Sequence, residues 1–145
     1  MSIKRIGKGF EFQDNLRKFG AFKQSAPKVI ANNSLNWFLK GFRTGGGQTD
    51  ASKSGWVDRN PRKGESGRQP SRLVGKGTGH LRRDFQVIKA VFGQIVLGTK
   101  RIPYAIRHNE GLNGMPKREF AGESKELNKQ NEGLLTKMLN KVMNI

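Results

Sequence analysis

Chemistry in this chain would have to come from very few residues. His80 and His108 are the only histidines and cysteine is absent, which excludes disulfides and thiolate ligation. No HExxH-type spacing offers a metal site. His108 and Glu110 are types suited to general acid–base work, but residues two apart on a helix do not face each other, so the pair requires irregular backbone. The run Gly75-Lys76-Gly77-Thr78-Gly79 invites a phosphate-loop reading. It fits neither GxxxxGK with a Ser or Thr after it nor GxGxxG, and the residues beyond it read as a strand. The sequence therefore predicts no catalytic residue, no cofactor and no metal. His108 reads as a structural residue near the end of a short helical segment. The glycine run reads as a flexible turn that lets Leu81 enter a sheet.

Cations are the chemistry left over. The formal charge is +17 over 145 residues, enough for a compact domain to repel itself and attract polyanions. From Phe42 to Gly79 the glycines include Gly45-Gly46-Gly47, Gly55, Gly64 and Gly67, interleaved with Lys53, Arg59, Arg62, Lys63, Arg68, Arg72 and Lys76. So long a connection without its own core usually signals function or disorder. Trp56 and Val57 are its only bulky apolar pair, with Leu73 and Val74 near the far end. We expect a projecting loop or long hairpin that orders against a partner, with Trp56, Arg59, Arg62, Lys63, Arg68 and Arg72 as partner-binding residues. Arginine and lysine spaced by glycine, with an occasional aromatic, also characterise nucleic-acid-binding segments. Docking on an acidic protein ring is preferred, because the loop lacks a helix to fit a groove.

The elements that would carry this loop emerge from periodicity. Residues 1–9 read as a basic arm that orders on contact. Phe12, Leu16 and Phe19 recur at helical spacing, predicting a short helix to about Phe22. Ser25 before Ala26-Pro27 predicts the cap of a second helix, to about Lys40, with Gly41 as its stop. From Leu81 to Thr99, Phe85, Val87 and Val91 alternate with polar residues and Ile95-Val96-Leu97 forms a second run after Gly93-Gln94, the pattern of a β-hairpin. Pro116 fixes the backbone after Gly111-Leu112-Asn113-Gly114, and Phe120 is placed to anchor that corner in the core. Ser124 caps a final helix striped by Leu127, Leu134, Leu135, Met138 and Val142.

Four pieces in order, Thr78-Gly79-His80-Leu81-Arg82, Ile95-Val96-Leu97-Gly98-Thr99, Tyr104-Ala105-Ile106-Arg107-His108 and Met115-Pro116-Lys117-Arg118-Glu119-Phe120, resemble the Mu-type phage virion morphogenesis family. The resemblance covers roughly the second half of the chain, with a weaker echo at Gly55-Trp56. Asp84 stands where that family writes serine, Leu97 precedes Gly98-Thr99, and Glu119 separates Arg118 from Phe120. The resemblance implies a structural virion protein that completes or terminates the tail, or joins it to the head, as a homo-oligomeric and typically hexameric ring. It further implies contact with neighbouring neck and tail tube proteins, possible non-specific proximity to DNA, and residence in the virion after synthesis in the host cytoplasm.

Together these readings predict one α+β domain. A small antiparallel sheet is packed with N-terminal and C-terminal helices, and the basic loop projects from it. The apolar fraction of 34% and mean hydropathy of −0.69 allow only a modest core. No apolar run is long enough to span a membrane, and residues 1–5 are not succeeded by the apolar region of a signal peptide. The rival expectation is a basic nucleic-acid-binding protein, such as a packaging or ribosome-type component.

Overall fold

The computed structural model describes residues 12–57 and 79–143. Helix α1 (Phe12–Thr44) leads through a single 3-10 turn (Asp50–Ser52) to Val57. After Gly79 come a short helix α2 (His80–Asp84), strands β1 (Gln86–Val91) and β2 (Gln94–Gly98), a short helix α3 (Ala105–Glu110) and helix α4 (Lys125–Met143). The fold class is α+β, with a two-stranded antiparallel sheet and the N- and C-terminal helices packed around it.

The two expected N-terminal helices are one, 33 residues and about 50 Å long. Ser25 does not cap a second helix; its hydroxyl donates back to the Phe22 carbonyl, three residues earlier. Pro27 lies inside the helix, where an interior proline costs about 3 kcal/mol. Burial on both sides of it, at Ala26, Ile30 and Ala31, offsets that cost. Gly41 is likewise no stop. Termination falls to Gly45-Gly46-Gly47, all three at positive φ, with Gly45 and Gly46 N–H groups both donating to the Gly41 carbonyl.

Chain 42–57, expected to project, begins as core. Phe42 is fully buried and Trp56 is 6% exposed, and the two rings meet edge to face at 5.8 Å. Gly46 permits this: a Cβ there would stand 2.8 Å from Trp56 Cδ1, and its φ of 102° is one that L side chains rarely adopt. Thr49 and Ser52 close a reciprocal capping box around the 3-10 turn. Asp50 then joins that turn to α4: its N–H donates to the Glu123 carbonyl, and its carboxylate accepts from Lys125 N–H.

The expected strand start at Leu81 is also corrected. Leu81 and Phe85, one helical turn apart, are both buried, so residues 80–84 coil and put both side chains on one face. The strands then pair as the sequence predicts, from Gln86 opposite Gly98 to Val91 opposite Gln94, with a register shift between Val87 and Lys89.

Phe38, Phe42, Trp56, Leu81, Phe85, Ala105, Phe120 and Leu127 form the main core, drawn from the four α-helices and the segments between elements, with Leu97 of β2 packed against it. Phe120 anchors its corner there, 5.4 Å from the Phe42 ring centroid. Ser124 caps α4 by accepting from Leu127 N–H. Helix α4 runs antiparallel to α1, and a polar ladder registers the two: Asn33 donates to Asn131, which donates to Ser34.

Two glycines separate backbone freedom from helix propensity. Gly46→Ala should destabilise the fold by about 1–3 kcal/mol through positive-φ strain and displacement of Trp56. Gly20→Ala, inside α1 with open space around it, should stabilise by about 0.5–1 kcal/mol. Urea denaturation of the two variants should give midpoint shifts of opposite sign.

Candidate functional site

The partner-binding residues expected from the sequence divide sharply. Trp56 is a core residue, its indole N–H donating to the Glu119 carbonyl at 3.0 Å, so its ring presents no surface to a partner. Arg59, Arg62, Lys63, Arg68 and Arg72 lie outside the described residues, as do the basic arm and Gly75 to Thr78 of the glycine run. The structure does fix where the basic stretch begins. Arg118, itself buried, donates from Nε to the Val57 carbonyl at 3.1 Å, holding the last described residue before it.

His108 and Glu110 are not brought together. The Glu110 carboxylate accepts from Asn109, and His108 Nδ1 is buried without a hydrogen-bond partner. Burial first, and the Arg118 charge second, hold the imidazole below its ordinary pKa. His108 instead serves through its backbone, its carbonyl accepting from Arg118 N–H at 2.8 Å. The Tyr104 ring packs against the imidazole edge to face.

Asn109, which the sequence does not single out, is the polar centre of this corner. Its Oδ1 accepts from both Phe120 N–H at 3.0 Å and Ala121 N–H at 3.1 Å, joining α3 to the turn before α4. Asp84 plays the same part at the base of the hairpin, its Oδ2 accepting from the backbone N–H groups of Lys100 and Arg101. Aspartate and asparagine are short oxygen acceptors of the kind that hold turns, but no local pattern marks either Asp84 or Asn109.

The surface that stands out is apolar. At the hairpin tip Val91 is 46% exposed and Phe92 55%, and Ile95 and Val96 beside them are also exposed. Between this tip and the helices lies a groove of about 270 Å³ lined by Ala26, Pro27 and Ile30 of α1, residues 91–95, and Leu135 of α4. The Lys23 ammonium sits over the Phe92 ring at 5.2 Å. With only two strands, the sheet leaves one edge of each unpaired among the described residues.

Compared with protein-family models, curated proteins and solved structures, the chain matches none of them. No helix among the described residues is long and apolar enough to cross a membrane. Among the same residues, no three His, Asp or Glu side chains gather to hold a metal ion.

The α3 corner makes stability depend on pH and on one amide. The unfolded chain protonates its histidine near 6.5 and the folded chain only below that. Stability is therefore undiminished by this group above pH 6.5 and falls as pH drops from 6.5 through the lower folded value. Urea midpoints at neutral and mildly acidic pH should diverge less in His108→Gln than in the wild type. Asn109→Ala leaves two backbone N–H groups without their acceptor and should cost about 1–3 kcal/mol by the same assay.

Proposed function

We propose that this chain is a structural virion protein of the phage neck, which completes or terminates the tail and joins it to the head as a homo-oligomeric ring. The observation that carries the reading is the exposed apolar hairpin. A two-stranded sheet is marginal by itself in water, and this one leaves Val91 and Phe92 about half exposed at its tip, with Ile95 and Val96 only partly covered. A second copy of the chain is the proposed occupant of this surface. Self-repulsion from a charge of +17 opposes association of copies, and it is least where charge is sparse. Residues 91–97 contain no charged side chain of their own, and the cations that reach them are Lys23, over the Phe92 ring, and Lys89, which donates to Gln94.

The motif residues support a scaffold reading. Tyr104, His108, Arg118 and Phe120 converge on one corner, tied by the Asn109 and His108 hydrogen bonds and anchored in the core by Phe120. Residues occupied in holding a corner build a frame on which surfaces are mounted. In this proposal the basic stretch, through Arg59, Arg62, Lys63, Arg68 and Arg72, is steered toward an acidic neighbouring ring of the neck or tail tube. Trp56 belongs to the frame that carries the stretch, not to the contact.

Sedimentation of the purified chain, alone and with tail tube subunits, tests the reading. Closed oligomers are expected from the wild type in at least one condition. Phe92→Glu should return them to monomer while leaving the melting temperature within a few degrees, because that side chain is 55% exposed. A variant that still forms closed rings would place the self-contact elsewhere. A wild type that stays monomeric in both conditions would remove the ring from the proposal.

A further inference from the structure

The two ends of the hairpin differ in character, and the cationic side chains at the basic end take no part in the frame. Arg82 and Arg83 on α2 precede β1, while Lys100 and Arg101 come after β2. The two dipeptides are distant along the chain, yet the Asp84 carboxylate draws them together. Asp84 is the immediate neighbour of Arg83, and its Oδ2 lies 2.7 Å from Lys100 N and 2.8 Å from Arg101 N. All four cationic side chains are exposed, and none is ion-paired or hydrogen-bonded among the described residues. The one carboxylate among them is occupied by backbone donors, so it fixes the patch without bridging its cations. Positive charge therefore prevails at this end of the sheet.

We infer that Arg82, Arg83, Lys100 and Arg101 form a binding site for the phosphate backbone of nucleic acid. Three features favour phosphate over an acidic protein. Two of the segments meeting there, residues 82–84 and 99–101, offer no large apolar side chain, whereas a protein interface needs an apolar centre and disfavours lysine. The strand pair closing this end is Gln86 with Gly98, and of the hairpin's own exposed large apolar residues, Val91, Phe92, Ile95 and Val96 lie toward the opposite tip, with Ile88 between. All but one of the cations are arginines, whose planar forks match phosphate oxygens. Readout is by charge and position, without base specificity. This assignment does not rest on the neck reading, since a free monomer presents the same patch.

Fluorescence anisotropy of the full chain with a fluorescein-labelled duplex of arbitrary sequence, roughly 20 base pairs long, across a salt series, tests the site. In the variant Arg82→Gln, Arg83→Gln, Lys100→Gln, Arg101→Gln, the slope of log K against log salt should become shallower by about 3.6, at about 0.9 for each phosphate no longer neutralised. A charge-matched control, Lys125→Gln, Lys129→Gln, Lys137→Gln, Lys141→Gln on α4, should change the slope by less than half as much. Should the fourfold variant melt early, the two dipeptide variants serve instead, each expected to lower the slope by about half that amount. Equal decreases in patch and control variants would mean that only net charge acts, and would overturn the site. Unchanged duplex binding in the patch variant would do so as well. Loss of binding to labelled polyglutamate with duplex binding intact would assign the patch to an acidic protein instead.

Discussion

Most of the fold hangs on the packing of Trp56 against the triglycine turn. Helix α1 can end where it does because Gly45, Gly46 and Gly47 take positive φ, and Gly46 leaves room for an indole where any Cβ would collide. The seated ring meets Phe42 of α1, and its N–H reaches the Glu119 carbonyl in the corner before α4. One side chain thus joins the long helix, the start of the basic stretch and the turn that launches the last helix. The contact also removes a large aromatic from water in a chain with few apolar residues to bury, where each such burial contributes about 1.5–3 kcal/mol.

Around that centre, polar groups do the joining that a small core cannot. Asp84, Asn109, Asp50 and Ser124 each commit side-chain oxygen to backbone N–H groups that no helix or strand supplies with a partner. The stability of the domain is therefore distributed over turns as much as over the apolar cluster. This suits a frame whose surfaces differ, with an apolar hairpin tip at one end of the sheet and a basic patch at the other.

Legibility in the sequence tracks the range of the interaction. The hairpin, the capped C-terminal helix and the anchoring Phe120 rest on periodicity, a turn and a cap, all spanning a few residues, and all are readable. The continuous α1 is not, because Ser25 and Pro27 form a local signal for a helix start that burial of Ala26, Ile30 and Ala31 overrides. Leu81 and Phe85 pass for part of β1, since a single helical turn joined to a strand leaves almost no periodic trace. Of the expected contact residues, Trp56 points outward only when judged by its glycine-rich neighbourhood, a guide to backbone freedom and a poor one to burial.

Charge, the absence of thiol chemistry, the α+β class and the order of the main elements could be had without coordinates, because each depends on composition or on neighbours within a few positions. Which residues share a surface could not. The folded chain puts Trp56 inside through its contacts with Phe42 and Glu119, and it brings Arg82 and Arg83 beside Lys100 and Arg101 through one carboxylate. Burial and charge clustering are sums over residues distant in the chain, and no local pattern encodes those sums.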